Sequence, residues 1–254
     1  MSPIRLDVKD YIAVVTIDYP PVNAMAVDAY GHIIEIFDEL HDRDDARVVV
    51  LTATGERAFC AGVDVRSRIP GAPAPRKDHG RTAREGFNSI YECPIPVIGA
   101  INGPTLGAGI GLAASCDYLI ASEKATFGLP EIDVGLLGGA RHSFRLFPQG
   151  VVRRMHYTAE RLSAQEAYRL GAVHKVVPPG RLMEEAMSDA AIIAAKMPIG
   201  IRLAKEGLNT VEWMDLKNGY RFEQTRTAVL QLTEDAAEAK RAFVEKRTPV
   251  FKGR

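Results

Sequence analysis

The sequence predicts an α/β fold, a spiral of strand-strand-helix turns followed by an all-helical C-terminal region. Three observations carry this. A unit recurs at residues 48–65, 97–114 and 118–147: an apolar strand, a glycine corner, then a helix or loop. Its strands are β-branched apolar runs without polar alternation, the pattern of strands covered on both faces. Units that cannot bury their own faces stack on one another, which gives a spiral and not a doubly wound nucleotide-binding sheet. Finally, beyond residues 173–177 and Pro178-Pro-Gly180 no strand signal survives, so the core is assigned to residues 1–196 and the helical region to residues 197–254, divided at Met197-Pro198.

The elements follow in order. Residues 11–17, YIAVVTI, form a β-branched strand, and Pro20 and Pro21 stop it. Residues 26–40 form an amphipathic helix with Ile33, Ile34, Phe37 and Leu40 on one side. A second buried strand, residues 47–52, leads through Thr54-Gly55 to the apolar segment 58–65, AFCAGVDV. Residues 66–79, RSRIPGAPAPRKDH, mix Pro, Gly and basic residues and read as a mobile loop. Residues 83–92 are helical.

The fold is organised around residues 94–116, PIPVIGAINGPTLGAGIGLAASC, which carry no charge. Residues 96–101 are a short strand, Asn102-Gly-Pro-Thr105 a turn, and Gly107 opens a buried helix. Free backbone N–H groups collect at such a corner and the helix dipole adds positive potential, so a carbonyl oxygen, an oxyanion or a phosphate can be held there. The run has the length of a membrane span, but Pro94, Pro96, Pro104 and the glycines break it. A dinucleotide fingerprint forced from Gly109-Ile-Gly111 falls inside the helix and not at the strand-to-helix turn. Strands at residues 117–121 and 125–127 come next, then a helix from about Arg141, and in the tail helices at residues 182–195, 199–208, 216–232 and 235–246.

Composition bounds the function. The chain has 254 residues, 46% hydrophobic and 25% charged, with 32 Lys+Arg against 32 Asp+Glu, so no net field steers it to nucleic acid or an anionic membrane. The N-terminus lacks an apolar signal-peptide core and the three cysteines (Cys60, Cys93, Cys116) form no CxxC, which together point to a reducing cytoplasm, with the cysteines in the core. Signatures of serine hydrolases, nucleotide hydrolases and zinc enzymes are absent, and none of the six histidines pairs at metal-ligand spacing. What remains is two glycine corners and Glu131 in the apolar run Thr126-Phe-Gly-Leu-Pro-Glu-Ile132. A carboxylate with apolar neighbours tends toward a raised pKa, suited to general acid/base work; pairing with a local Arg or capping a helix is the other use of such a residue.

Four segments, Ala58-Phe-Cys-Ala-Gly-Val-Asp-Val65, Asn102-Gly-Pro-Thr-Leu-Gly-Ala-Gly109, Ala125-Thr-Phe-Gly-Leu-Pro-Glu131 and Ala242-Phe-Val-Glu-Lys-Arg247, resemble the crotonase superfamily of enoyl-CoA hydratases and isomerases in combination and spacing, over nearly the whole chain. The resemblance implies a crotonase-like spiral, a C-terminal all-helical trimerisation region, and a homotrimer or hexamer. It implies that the N–H groups of Val63 and Ala108 form an oxyanion hole for the thioester oxygen of an acyl-CoA while an enolate forms, and that Glu131 is the acid/base. It further implies that Ala24 and Ala61, with Asp64, Val65 and Arg66, line the acyl-CoA, that His142 stands beside the acyl pocket, and that Phe243 and Lys246 reach the nucleotide end, with Lys246 also readable as part of a solvated helix face. No separate cofactor is implied, since coenzyme A is part of the substrate.

Two departures qualify the match. Two-glutamate hydratases carry a second Glu where this chain has Gly111, so an ordinary hydratase mechanism is in doubt. One base at Glu131 is enough to move a single proton in a 3,2-enoyl-CoA isomerase, or to activate water against a ring ketone. The second departure is Arg141-His142 in place of two glycines, which offers polar groups to an oxygenated acyl chain; a plain core or surface role for His142 is the alternative. With residues 18–23, 91–93 and 109–111 this segment resembles a crotonase subgroup that opens ketone-bearing rings of CoA thioesters in steroid breakdown. The sequence reading is an acyl-CoA enzyme of the hydratase/isomerase type in lipid metabolism, fatty acid β-oxidation included. Ring hydrolysis and a catalytically inactive CoA-ester binder are the alternatives, with no nucleic acid and no membrane as partner.

Overall fold

The computed structural model describes residues 3–65 and 78–254. The chain opens with an antiparallel hairpin, β1 (Ile4–Lys9) and β2 (Ile12–Ile17), turned by Asp10 and Tyr11 at positive φ. Next come α1 (Val27–His41), β3 (Val48–Ala53) and α2 (His79–Tyr91). The central stretch supplies β4 (Val97–Ile101), β5 (Thr105–Leu106) and α3 (Ala108–Ser115), and the next turn β6 (Tyr118–Ser122) and β7 (Thr126–Gly128). A 3₁₀ turn (Pro130–Val134) leads to α4 (Ala140–Leu146), α5 (Gln149–Thr158), β8 (Arg161–Ser163), α6 (Ala164–Arg169) and β9 (Lys175–Val177). Helices α7 (Leu182–Ala194), α8 (Pro198–Val211), α9 (Leu216–Gln231) and α10 (Glu234–Glu245) complete it.

Six strands pair in the order β1-β2-β3-β4-β6-β9, parallel from β2 onward, and β5-β7-β8 form a second, smaller sheet. Each turn of the spiral thus leaves one strand in the large sheet and a shorter one in the small sheet. The unalternated apolar runs fit because the large sheet is covered twice. Val49 and Leu51 of β3 join the main core, whereas Val48 and Val50 pack with Ile98, Ala100 and Ile120 against Ala186, Ala190 and Ala194 of α7. The three cysteines are free and buried in the main core.

The C-terminal helices are pinned to the core by polar contacts. Lys205 of α8, 4% exposed, places Nζ 2.7 Å from Asp117 Oδ2 and 3.2 Å from the Ile95 carbonyl oxygen, while the Val97 N–H donates to the same carboxylate. Asp235 of α10, fully buried, accepts from the N–H groups of Lys252 and Gly253 and so folds the tail back onto the helix start. No helix among the described residues is long and apolar enough to cross a membrane.

Candidate active site

The small sheet sets the site's geometry. Cys60 bridges Thr105, and Thr105 pairs with Phe127, so three successive turns of the spiral lie side by side. Three residues after Cys60 stands Val63, three after Thr105 stands Ala108, and four after Phe127 stands Glu131. In-register strands therefore deliver all three residues to the same edge.

Each of the first two turns leaves the sheet through a glycine that only a residue without Cβ tolerates, Gly62 at φ +100° and Gly107 at φ +54°. The corners touch: a Cβ on Gly62 would lie 3.9 Å from the Ala108 nitrogen, and one on Gly107 3.7 Å from the Gly62 α-carbon. At the first corner the Gly62 carbonyl accepts from Met25 N–H and the Asp64 N–H donates to the Met25 carbonyl, which leaves the Val63 N–H between them without a partner among the described residues. Ala108 is the first residue of α3, so no helical carbonyl stands behind its N–H and the helix dipole adds to its positive character. Two adjacent free amides at touching corners are the donor pair an oxyanion needs.

Asn23, buried, holds the first corner in place. Its Oδ1 accepts from Tyr19 N–H and its Nδ2 donates to the carbonyls of Thr54 and Ala58. Ala61 N–H donates to the Val22 carbonyl, closing the same loop. Behind the amides, burial pushes the Cys60 thiol up to about 12, so it is no nucleophile at neutral pH.

Glu131 sits in the 3₁₀ turn, half-buried, beside the second corner: a Cβ on Gly107 would come within 2.8 Å of its Oε1. Its Oε2 is buried and has no hydrogen-bond partner among the described residues. Burial raises its pKa above the ordinary 4.5, the direction its apolar neighbours imply. A cavity of about 660 Å³ opens in front, large enough for an acyl group, lined by Val63, Ala108 and Glu131 together. Ala61 and Val65 line it too. Ala24 lies beside the first corner and Asp64 hydrogen-bonds within it, neither on the cavity wall. Arg66 and most of the loop expected at residues 66–79 lie outside the described residues, and its end differs from that expectation: Asp78 caps α2 and His79 is its first residue.

Three expected residues stand elsewhere. His142 is on the far side of Phe87, its ring 5.0 Å from the Phe87 ring, and lines a separate cavity. Phe243, 86% exposed, and Lys246, the left-handed cap of α10, line no part of the 660 Å³ cavity. Sequence reading had not singled out Phe87, Tyr30, His79 and Asp133, which do line it. Spacing gave no sign of them, because three reach the site from α1 and α2, across the spiral. Among the described residues no group of three or more His, Cys, Asp or Glu is placed to hold a metal.

Gly111 explains the missing second carboxylate in physical terms. A Cβ there would lie 2.6 Å from Phe87 Cζ and under 3 Å from two further ring atoms. The volume that a side chain at this position would use is filled by an aromatic ring.

The chain as a whole is similar to known proteins. The family model described as enoyl-CoA hydratase/isomerase matches residues 7–254. A protein of Mycobacterium tuberculosis named (7aS)-7a-methyl-1,5-dioxo-2,3,5,6,7,7a-hexahydro-1H-indene-carboxyl-CoA hydrolase is 43% identical, covering 92% of this chain and 95% of its own. Its namesake from Rhodococcus jostii is 40% identical over 94% of this chain and 93% of its own. A carnitinyl-CoA dehydratase of Salmonella typhi is 36% identical over 94% of each. Among solved structures, an enoyl-CoA hydratase from Bacillus anthracis superposes with a TM-score of 0.94 at 34% identity, over 100% of both chains.

Proposed function

The chain belongs to the enoyl-CoA hydratase/isomerase family of acyl-CoA enzymes, and from that premise we propose that it opens a ring of a cyclic keto-acyl-CoA thioester by hydrolysis. The observation that carries the reading is the Phe87 ring over Gly111, which leaves the half-buried Glu131 without the companion carboxylate that water addition to an enoyl group uses. The two indene-carboxyl-CoA hydrolases, at 43% and 40% identity, support a substrate of fused, ketone-bearing rings.

In this mechanism the amides of Val63 and Ala108 hold the thioester oxygen. Glu131 takes a proton from water as the water oxygen bonds to the ring ketone carbon. The adjacent ring C–C bond then breaks. Its electron pair passes to the carbon conjugated with the thioester, and the enolate charge rests on the oxygen between the amides. Glu131 returns the proton to that carbon, and the former ketone carbon becomes a carboxylic acid that stays attached to the opened chain, so one water is consumed and the Glu131 carboxylate is regenerated. Each oxyanion donor is worth roughly 3 kcal/mol in such sites.

A second reading, double-bond migration in a 3-enoyl-CoA, is favoured by the same geometry, because one base beside an oxyanion hole suffices to carry a proton between two carbons. Incubation with a cyclic keto-acyl-CoA, a 3-enoyl-CoA and crotonyl-CoA tests the choice. Ring opening is expected. Migration alone would replace the first reading by the second, and crotonyl-CoA hydration at comparable rate would contradict both. A homotrimer or hexamer accompanies this reading: Leu208, Leu216, Tyr220 and Leu232 of the C-terminal helices are exposed, a face that another copy would cover.

A further inference from the structure

The cavity that Glu131 lines has a smaller neighbour of about 140 Å³, walled by Phe87 and Tyr91 of α2, Ser115 of α3, Arg141 and His142 of α4, and Trp213 beyond α8. Phe87 lines both and is the partition between them. The ring rests edge-on between Tyr30 and His142, over a residue that has no side chain. Ala108 and Ser115 are the two ends of α3, and at 1.5 Å per residue the small cavity lies about 10 Å along the helix from the oxyanion hole. That is about the length of a two-ring acyl group.

The polar groups around the small cavity are unequally engaged. Arg145 is committed: its Nε lies 3.2 Å from Glu212 Oε1, and its guanidinium also donates to the Ala114 carbonyl. Tyr91 places its hydroxyl 3.1 Å from both Glu212 Oε2 and the Asn209 carbonyl. Ser115 Oγ donates to the Gly111 carbonyl. Arg141 differs. It stacks over the Trp213 ring at 4.2 Å, and among the described residues its guanidinium meets no carboxylate or carbonyl. Burial, with the charges of Arg145 and Arg141, holds the His142 pKa below the ordinary 6.5, so this ring adds no cation at neutral pH. Glu212 is matched by Arg145, and Arg141 is the charge left over.

We propose that the small cavity is a distal acyl subsite which takes a carboxylate or ketone oxygen at the far end of the acyl group, with Arg141 as its cation and the Phe87 ring as a partition that turns aside to admit it. A planar guanidinium held by stacking is pre-organised for a carboxylate. The subsite rests on the reading that the 660 Å³ cavity holds an acyl-CoA. It selects an acyl chain oxygenated at both ends, the substrate class a ring-opening hydrolase meets and one that β-oxidation of a plain fatty acid does not supply.

Equilibrium binding of suberyl-CoA and octanoyl-CoA, equal in chain length and differing in the terminal carboxylate, tests this without any turnover. The wild type is expected to prefer suberyl-CoA by about tenfold, ~1.4 kcal/mol. Arg141→Gln, a change at an exposed residue, should bind octanoyl-CoA as the wild type does and lose the preference. Equal binding of both esters by the wild type, or a preference that survives Arg141→Gln, overturns the subsite while leaving the acyl-CoA cavity standing. If neither ester binds, the acyl-CoA reading falls and the subsite with it.

Discussion

Glu131 leans against Gly107 so closely that a single methyl group there would meet its Oε1 at 2.8 Å. The proposed acid/base and the corner that presents the Ala108 amide thus lie directly against one another. Gly107→Ala would meet the carboxylate and also force a Cβ onto φ +54°, ψ −115°, at a cost of ~1–3 kcal/mol. Steady-state kinetics should show kcat reduced at least tenfold in a protein that still folds by circular dichroism. Unchanged kcat would mean that the contact has no functional consequence.

The Phe87 ring yields a paired expectation. Gly111→Glu alone drives a carboxylate into the ring, and overpacking of this kind costs ~1–3 kcal/mol, visible as a lower melting temperature. Adding Phe87→Ala makes room, and the double variant should regain much of the loss and acquire measurable hydration of crotonyl-CoA. Hydration by the single variant at full stability would show that the ring is no obstacle.

Ionisation of Glu131 links pH to both stability and rate. Its folded-state pKa is raised by burial, so the stability it contributes is present in full below the unfolded-state value and lost as pH rises through the folded value. Glu131→Gln, which cannot ionise, should therefore raise the melting temperature at about pH 7 and change it little at about pH 4. The wild-type kcat/KM should fall on the acid side with an apparent pKa above the ordinary 4.5, because the base must be ionised. An acid limb at or below that value would place the working base elsewhere.

Much of this was legible in the residues. The spiral announced itself through repetition: the strands at residues 48–53 and 97–101 lack polar alternation because α7 covers the face that the main core does not. Val63 and Ala108 could be named only through the family resemblance of their segments, whereas Glu131 also stood out as a carboxylate in an apolar run; the structure places the three at the ends of adjacent extended segments. β1 was passed over although Ile4, Leu6 and Val8 alternate with Arg5, Asp7 and Lys9, the pattern of an edge strand with one face in the core. Phe87 could not be found from spacing. Its role exists only because α2 crosses α3 at Gly111, a tertiary contact that no local pattern encodes. On sequence alone hydratase/isomerase chemistry stands ahead of ring opening by a small margin; the filled space at Gly111 together with the two hydrolase relatives favours ring opening.

Lys205 ties α8 to the sheet. Its ion pair with Asp117 is buried on the lysine side and partly open on the other, and Lys205→Ala leaves a carboxylate without its cation, a loss of about 2 kcal/mol. Limited proteolysis should then cut near the start of α8 before it cuts the sheet. An unaltered digestion pattern and melting temperature would show that α8 is held by apolar packing alone.

One carboxylate beside a two-amide oxyanion hole is the core of the proposed reaction. Its most direct test is single-turnover kinetics of Glu131→Gln on a cyclic keto-acyl-CoA, with the ester's binding constant measured in parallel. The chemical step is expected to slow by roughly 10²–10⁴-fold while the binding constant stays within about threefold of wild type. A chemical rate close to wild type would remove Glu131 from the reaction and overturn the proposed mechanism.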